Sequence, residues 1–318
     1  MVTAHALRIV YFGTPEFAVP PLRALIASRH PVVAIVSQPD RPRGRGQHTT
    51  PTPTHAVAVE HGISVMQPTR LRDEAFLGPL RALQPDLGVV AAYGRILPDE
   101  LLELPRLGMI NVHASLLPAY RGAAPIHRAV IAGERETGVT IMRVVKELDA
   151  GPMMLTARRP IGPDETSIEV ERGLADLGAI TLIDVVEQLA GGRANEVPQD
   201  HGSATYAAKI TRDEGVVDWS APAQRIHDRV RGLQPWPLVS VRIGGARYLL
   251  HRTQLTGERT DAAAGTIVSA TPDGIDVAAG DGQVVRLAEL QPEGRRAMSA
   301  RDLLAGRSIR AGTAVTPP

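Results

Sequence analysis

Short apolar runs alternate with helical stretches over the first 190 residues of the chain. Apolar residues at helical spacing predict helices over 15–28, 54–61, 71–83, 123–132 and 167–189. The apolar runs among them predict strands buried on both faces, namely LRIVYFG (7–13), VVAIVSQ (32–38), LGVVAAYG (87–94) and GMINVHAS (108–115). This alternation predicts an α/β fold with a Rossmann-like, mostly parallel, doubly wound sheet.

The pattern changes after residue 190. Residues 191–207 combine a glycine pair, polar residues and a proline, which is typical of a linker. Beyond them, a short helix near 222–233 precedes closely spaced apolar runs that are separated by Gly and Asp-Gly turns. Such a pattern predicts a small OB-like antiparallel β-barrel. We therefore predict a first domain over 1–190, a linker over 191–207 and an OB-like domain over 208–318.

Composition narrows the class of protein. The 318 residues include no cysteine, which excludes disulfides, thiolate nucleophiles and cysteine-ligated metals. The N-terminal residues MVTAHALRIVYFG lack the features of a signal peptide, and no apolar stretch approaches the roughly 20 residues that cross a bilayer. We therefore expect a cytoplasmic enzyme without a membrane partner, and a monomer, since nothing in the chain argues for an oligomer.

The segment after the first predicted strand, FGTPEFA (12–18), has some likeness to a phosphate-binding turn. However, neither G-x-G-x-x-G nor G-x-x-x-x-G-K-[ST] occurs in the chain. Thr14 and Pro15 instead suit the cap and the first residue of a helix. The sequence therefore favours a tight strand-to-helix turn and argues against a classical dehydrogenase.

Two polar residues interrupt the fourth apolar run. Asn111 and His113 are two apart on the predicted strand, so their side chains share one face near its carboxyl end, where α/β sheets bind ligands. Asp149 follows in a loop within VVKELDAGP. An amide and a protonated imidazole can stabilise an oxyanion, and a carboxylate can orient the imidazole. The set suits attack of a substrate amine on a bound acyl donor.

Other interpretations of these residues stay open at this point. Asn111 and His113 can be hydrogen-bonded polar groups of the core, with Asp149 a turn residue. A serine nucleophile at Ser115 is disfavoured because G-x-S-x-G is absent. A metal site is not expected either, because His113 and His127 lack the i, i+4 spacing of zinc-binding helices.

A longer motif around these residues resembles a known family. INVHASLLPAYRGAAPIHRAV (110–130), followed by ELDAGPM (147–153), is similar to the formyltransferases that use 10-formyltetrahydrofolate. The likeness continues in both predicted domains. These further segments resemble the branch of the family that acts on methionyl-tRNA. They are FGTPEFAVPPLRAL, QPDRPRGRG, TYAAKIT, DWS, LQPWP and LQPEGRRAMSARDLL.

The resemblance implies a reaction and its residues. A formyl group would pass from 10-formyltetrahydrofolate, the co-substrate, to the α-amino group of methionine on initiator methionyl-tRNA, giving N-formylmethionyl-tRNA for translation initiation. Asn111, His113 and Asp149 match the catalytic residues of the family. The resemblance also implies folate-binding residues, which are Ser115, Leu116, Leu117, Pro118, Ile96 and Leu97.

The resemblance further implies how tRNA is bound. The arginines of QPDRPRGRG match a tRNA-binding loop, and the OB-like domain matches a tRNA-binding domain; these arginines are Arg41, Arg43 and Arg45. Two alternatives remain. A formyltransferase for an amino sugar nucleotide would have another C-terminal domain and no basic loop, and a tRNA-binding protein with an inactive formyltransferase domain would have lost its catalytic residues.

Overall fold

The computed structural model describes residues 5–43 and 48–318. The chain forms two compact units. The first contains the residues up to Ala123 together with Thr137–Arg159 and Glu171–Ala207, and the second contains Ala124–Glu136, Pro160–Val170 and Ala208–Pro318. The second unit thus includes two segments that precede residue 190 in the sequence.

Eleven strands belong wholly or mainly to the first unit in the described part of the chain. They are β1 (Ile9–Gly13), β2 (Val32–Val36), β3 (Arg41–Arg43), β4 (His48–Thr50), β5 (Val65–Met66), β6 (Leu87–Ala91), β7 (Met109–His113), β8 (Arg121–Gly122), β9 (Glu136–Arg143), β10 (Met153–Pro160) and β11 (Tyr206–Ala207). Seven of them form one sheet in the order β10-β9-β7-β6-β1-β2-β5. The five strands from β7 to β5 in this order are parallel, and β9 is antiparallel to β7. The predicted mostly parallel sheet is confirmed.

The described residues form eight α-helices. They are α1 (Val19–Ala27), α2 (Pro53–Glu60), α3 (Glu74–Ala82), α4 (Asp99–Leu102), α5 (Pro125–Ile131), α6 (Ser167–Ala190), α7 (Ala223–Gly232) and α8 (Ala300–Gly306). The predicted helix from residue 15 is divided into a 3-10 turn, Glu16–Ala18, and α1. Among the residues placed by the structure, no helix has the length and apolarity needed to cross a membrane.

The prediction that Thr14 caps the helix after β1 is wrong. The hydroxyl of Thr14 accepts a hydrogen bond from the backbone N–H of Gln38 at 3.1 Å. Pro15 takes the N-cap position of the 3-10 turn, and that turn has no side-chain cap. Thr14 therefore links the segments that follow β1 and β2, which lie side by side in the sheet.

The core of the first unit explains why its strands are apolar throughout. All five residues of β1 are buried. Val10 and Phe12 on one face of β1 pack with residues of β2 and with Leu77 and Leu80 of α3. Because helices cover a doubly wound sheet on both faces, its central strands have no solvent-facing side.

The second unit contains an antiparallel barrel. Its strands are β12 (Val239–Ile243), β13 (Ala246–Arg259), β14 (Ile267–Thr271), β15 (Gly274–Ala278), β16 (Gln283–Pro292), β17 (Met298–Ser299) and β18 (Val315–Thr316). The sheet order is β14-β15-β16-β13-β12-β18, with β17 beside β16. A bridge between Thr266 and Ala314 joins its two ends. The fold thus confirms the predicted small antiparallel barrel.

Candidate active site

Asn111 and His113 lie at the carboxyl end of β7. In the neighbouring strands, Asn111 is opposite Val90 of β6, and His113 is opposite Thr140 of β9. Both side chains lie on one face of the sheet, with His113 buried and Asn111 half-buried. Within the described part of the chain, the Asn111 amide forms no hydrogen bond. Its N–H groups therefore remain available to a substrate.

The imidazole of His113 lies between a carbonyl and a carboxylate. Its Nε2 donates to the backbone oxygen of Tyr120 at 3.1 Å, since a carbonyl can only accept. Its Nδ1 is 3.7 Å from Oδ2 of Asp149, an ion-pair distance that is too long for a hydrogen bond. The ring therefore faces an acceptor at each nitrogen, an arrangement that suits a positively charged imidazolium.

The backbone N–H of a glycine fixes the carboxylate of Asp149. Its Oδ2 accepts from the backbone N–H of Gly122 at 2.8 Å. Asp149 has a φ of 48°, in the left-handed region that Asp tolerates better than most residues. Gly122 has a φ of 115°, and a Cβ there would lie 2.9 Å from the carbonyl oxygen of Ala207. Only glycine therefore places this N–H against Asp149 without strain.

The segment Ser115–Pro118 forms the turn after β7. The Ser115 hydroxyl donates to the carbonyl of Ala119 at 2.6 Å, so it is committed to the turn. Thr140 holds the same turn from β9, because its hydroxyl donates to the Ser115 carbonyl at 2.8 Å and accepts from Leu117 N–H at 3.2 Å. Leu117 is buried, whereas Leu116 and Pro118 are half-buried. These contacts give the turn a fixed shape beside the catalytic candidates.

Ile96 and Leu97 lie beyond the carboxyl end of β6, but their side chains have different surroundings. Leu97 is 8% exposed and belongs to the core cluster that includes Phe12 and Tyr93. Ile96 is 87% exposed. Of the two, Ile96 therefore has the apolar surface that a ligand could cover.

An open cavity of about 780 Å³ lies beyond β1, β2 and β6. The residues that line it include Thr14, Thr52, Thr69 and Arg95, together with the predicted tRNA contact Arg41. Arg43 lies on β3, and Arg45 lies outside the described residues. The cavity shares the carboxyl edge of the sheet with Asn111 and His113, because the strands from β5 to β7 in the sheet are parallel.

Asp40 fastens the start of β3 to the sheet, a role that the sequence did not suggest. Its Oδ1 accepts from Thr52 N–H at 2.9 Å and from Gln67 Nε2 at 2.8 Å, and its Oδ2 is 2.9 Å from Nδ1 of His55. Burial opposes ionisation of this carboxyl, but the bonds from Gln67, Thr52 and His55 outweigh burial and lower the pKa of Asp40. Asp40 and Thr52 thus join the two ends of the β3–β4 hairpin.

Two family models match the chain. Residues 7–186 match the formyl transferase model, and residues 209–308 match the model for the formyl transferase C-terminal domain. A methionyl-tRNA formyltransferase of Methylococcus capsulatus is 47% identical over 95% of this chain and 98% of its own. One of Moorella thermoacetica is 45% identical over 94% and 96%. The chain belongs to the methionyl-tRNA formyltransferase family.

Solved structures support the fold. The N-formyltransferase from Helicobacter canadensis superposes with a TM-score of 0.68 at 16% identity, covering 88% of this chain and 98% of that one. The methionyl-tRNA formyltransferase from Clostridium thermocellum gives a TM-score of 0.54 at 16% identity, covering 80% and 95%. At such low identity the likeness concerns the architecture alone.

Family membership confirms the enzyme class predicted from the sequence. The chain is a formyltransferase, and relatives that are 43–47% identical to it are methionyl-tRNA formyltransferases. The amino sugar nucleotide alternative is therefore not favoured. The inactive-domain alternative is not favoured either, because Asn111, His113 and Asp149 are all present.

The structure also shows what the motif alone did not. It brings His113 and Asp149 together although 36 positions separate them in the sequence. The groups that hold both side chains are the backbone oxygen of Tyr120 and the backbone N–H of Gly122. Backbone groups carry no side-chain signal, so only the glycine of the Arg-Gly pair hints at them.

Proposed function

We propose that this enzyme formylates the α-amino group of methionine on initiator methionyl-tRNA with 10-formyltetrahydrofolate as donor, and that Asn111, His113 and Asp149 carry the catalysis. The observation behind this assignment is the juxtaposition of His113 with Asp149, at 3.7 Å, beside an unengaged Asn111 amide. The set has a hydrogen-bond donor in Asn111, an imidazole in His113 that can carry positive charge, and a carboxylate in Asp149. The reaction needs no nucleophile from the enzyme.

The chemistry follows from these groups. The methionyl nitrogen attacks the formyl carbon, a C–N bond forms, and the carbonyl electron pair moves onto oxygen. The Asn111 amide donates to this oxyanion, and a positively charged His113 stabilises it. The intermediate then collapses, and the bond from the formyl carbon to N10 of the folate breaks. Asp149 balances the charge on His113 and directs a water that carries the amine proton to N10.

We assign folate binding to two segments near Asn111, His113 and Asp149. The turn Ser115–Pro118 follows Asn111 and His113 directly, and Thr140 fixes its shape. Ile96 offers exposed apolar surface for the flat pterin ring, and Leu97 anchors the segment in the core. These contacts would orient the donor, while the catalytic groups act on the formyl carbon.

For the tRNA we propose two binding regions. Arg41, Arg43 and Arg45 contact phosphates near the acceptor end, and Arg41 lines the cavity at the carboxyl edge of the sheet. The proposed catalytic groups lie within residues 1–190, and we propose that residues 208–318 hold the tRNA. The enzyme works as a monomer in the cytoplasm, where initiator tRNA is charged.

The test is transfer of radiolabelled formyl from 10-formyltetrahydrofolate to methionyl initiator tRNA by the wild-type chain. We expect turnover with this acceptor, and much less with methionyl elongator tRNA. Turnover of a nucleoside-diphosphate amino sugar without turnover of the tRNA would contradict the proposal. Tight binding of the tRNA without formylation would contradict it as well.

A further inference from the structure

We propose that Arg121 and Gln199 are positioning residues for formyl transfer, because together they hold the loop that carries Asp149. The inference rests on the catalytic role proposed for Asp149. Neither side chain is exposed to a substrate, since Arg121 is 3% and Gln199 5% exposed. Their effect is on the geometry of the Asp149 loop.

Gln199 holds this loop at Asp149 itself and two residues further on. Its Nε2 donates to the carbonyl oxygen of Asp149 at 2.9 Å and to that of Gly151 at 2.7 Å. Both amide protons are therefore used on the loop. Asp149 has left-handed backbone geometry, which needs such external contacts to persist.

Arg121 sets the orientation of the Gln199 amide. Its Nε and Nη2 donate to Oε1 of Gln199 at 3.0 and 2.6 Å. Because a guanidinium only donates, it keeps the amide oxygen toward itself and turns the NH₂ group toward the loop carbonyls. Nη2 also donates to Nδ1 of His201 at 3.2 Å. Arg121 thus acts through Gln199.

Burial of Arg121 is costly, which argues for a specific role. Among residues 5–43 and 48–318, no carboxylate pairs with this guanidinium, whose side-chain partners are the amide oxygen of Gln199 and the ring nitrogen Nδ1 of His201. A buried cation without an anionic partner costs free energy that an apolar side chain would avoid. The cost makes sense where the guanidinium fixes a functional loop.

The short strand β8 ties these contacts to the rest of the site. Tyr120, which precedes β8, and the two residues of β8 act on the catalytic pair: Tyr120 accepts from His113, Arg121 orients Gln199, and Gly122 donates to Asp149. β8 pairs in parallel with β11, so the segment after Gln199 returns to lie beside it. One small assembly therefore positions His113 and Asp149 relative to each other.

The primary test compares Gln199→Leu and Gln199→Glu in steady-state kinetics. Leucine removes both donors, and glutamate keeps an acceptor for Arg121 but faces the loop carbonyls with oxygen. We expect kcat to fall by about 10²-fold in each variant, the effect of a displacement of about 1 Å at a reacting geometry. The KM values for the folate and the tRNA should stay within about threefold, because neither residue lines their proposed sites.

Gln234→Leu is the matched control. Gln234 is also a buried glutamine, 7% exposed, and its amide donates to the backbone carbonyl of His251 in the second unit. Its loss costs stability of the same kind but leaves the Asp149 loop untouched. We expect Gln234→Leu to lower the melting temperature while keeping kcat near wild type.

Arg121 variants test the order of action. If Arg121 works through Gln199, the double variant Arg121→Met/Gln199→Leu has the kcat of Gln199→Leu alone rather than the product of two losses. Arg121→Lys keeps a donor for Gln199 and should recover at least tenfold over Arg121→Met. Additive losses in the double variant would overturn the inference.

Asp149→Ala, run in the same assay, separates the two claims. Wild-type-like kcat in the Gln199 variants, with activity abolished in Asp149→Ala, would overturn the positioning role and leave the proposed function standing. If Gln234→Leu lost as much kcat as the Gln199 variants, the loss would reflect general destabilisation, and the positioning role would likewise be overturned. Full activity of Asp149→Ala would instead refute the proposed catalytic role, and the inference with it.

Discussion

At the scale of single residues, Thr140 connects β9 to the turn on which the proposed folate site depends. Its hydroxyl is buried and serves two backbone groups of that turn. Thr140→Val keeps the shape of the side chain but leaves a buried carbonyl and a buried N–H unpaired. We expect a loss of about 1–3 kcal/mol in the free energy of unfolding and a raised KM for 10-formyltetrahydrofolate.

Thr181→Val is the control for this prediction. Thr181 is also buried, but its hydroxyl donates to the Leu177 carbonyl one turn earlier in α6. Its loss should cost less than Thr140→Val and leave the KM unchanged. Urea unfolding and steady-state kinetics measure both effects, and equal KM values in the two variants would contradict the role given to Thr140.

At the level of single residues, only part of the geometry of the site could be predicted from the sequence. The pairing of Asn111 with His113 follows from strand periodicity, because residues two apart share a face. The distance from His113 to Asp149 does not follow, since the two are joined only by the path of the chain through β8 and β9. The link from Gln199 to the Asp149 carbonyl spans 50 positions and gives no local signal.

At the scale of elements, the start of α6 carries a capping box. Thr166 N–H donates to Glu169 Oε2 at 2.8 Å, and Glu169 N–H donates to the Thr166 hydroxyl at 3.4 Å. Arg252 adds an ion pair to Glu169 at 2.7 Å. Burial opposes ionisation of Glu169, but Thr166 and Arg252 outweigh it and lower its pKa from 4.5 to about 2.

This pKa predicts how stability depends on pH. Because the folded-state pKa of Glu169 is below its ordinary value, its stabilisation is complete above about pH 4.5 and is lost as the pH falls toward 2. Glu169→Gln should therefore cost about 1 kcal/mol at pH 7, a figure kept small by solvent screening, and almost nothing near pH 2. Urea titrations at several pH values measure the difference.

Glu171 provides a comparison of opposite sign on the same helix. Burial and the nearby charge of Glu16 raise the pKa of Glu171 above its usual value. Its ionisation therefore opposes folding at neutral pH, and Glu171→Gln should stabilise the protein there. A loss of stability in both variants at pH 7, with no pH dependence, would contradict the electrostatic account.

Elements with strong periodicity were predictable, and those set by distant contacts were not. The central strands and α6 follow from their apolar patterns. The short strands β8 and β11 have only two residues each and exist because they pair with each other. Threonine is a residue type that often caps helices, but the hydroxyl of Thr14 accepts a hydrogen bond from the backbone N–H of Gln38 instead.

At the scale of the whole molecule, the proposed tRNA contacts predict a salt-dependent affinity. Arg41 is exposed and lines the cavity at the carboxyl edge of the sheet. Arg41→Ala should weaken tRNA binding and reduce the slope of log K against log salt by about 0.7–0.9, the value expected for one lost phosphate contact. Filter binding between about 50 and 200 mM salt measures this slope.

Arg106→Ala is the charge-matched control for that measurement. Arg106 is exposed as well, but its guanidinium bonds to Asp86, before the amino end of β7 and hence at the opposite edge of the sheet. The substitution removes the same charge without removing a proposed contact. An unchanged slope in Arg41→Ala, or the same change in both variants, would rule out a specific contact.

The organisation of the whole chain was only partly visible in the sequence. The change of pattern after residue 190 predicts a second architecture, and the barrel is present there. The assignment of Ala124–Glu136 and Pro160–Val170 to the second unit was not foreseen. It depends on packing such as the bond from Arg128 to Glu214, which joins residues 86 positions apart.

The measurement that bears most directly on the account is single-turnover formyl transfer to methionyl initiator tRNA by the wild type, His113→Ala and Asn111→Ala. Loss of one oxyanion-stabilising group typically lowers the rate by about 10²–10³-fold. We predict losses of this size in both variants, with tRNA affinity unchanged. A rate within about threefold of wild type in either variant would contradict the proposed catalytic role of that residue.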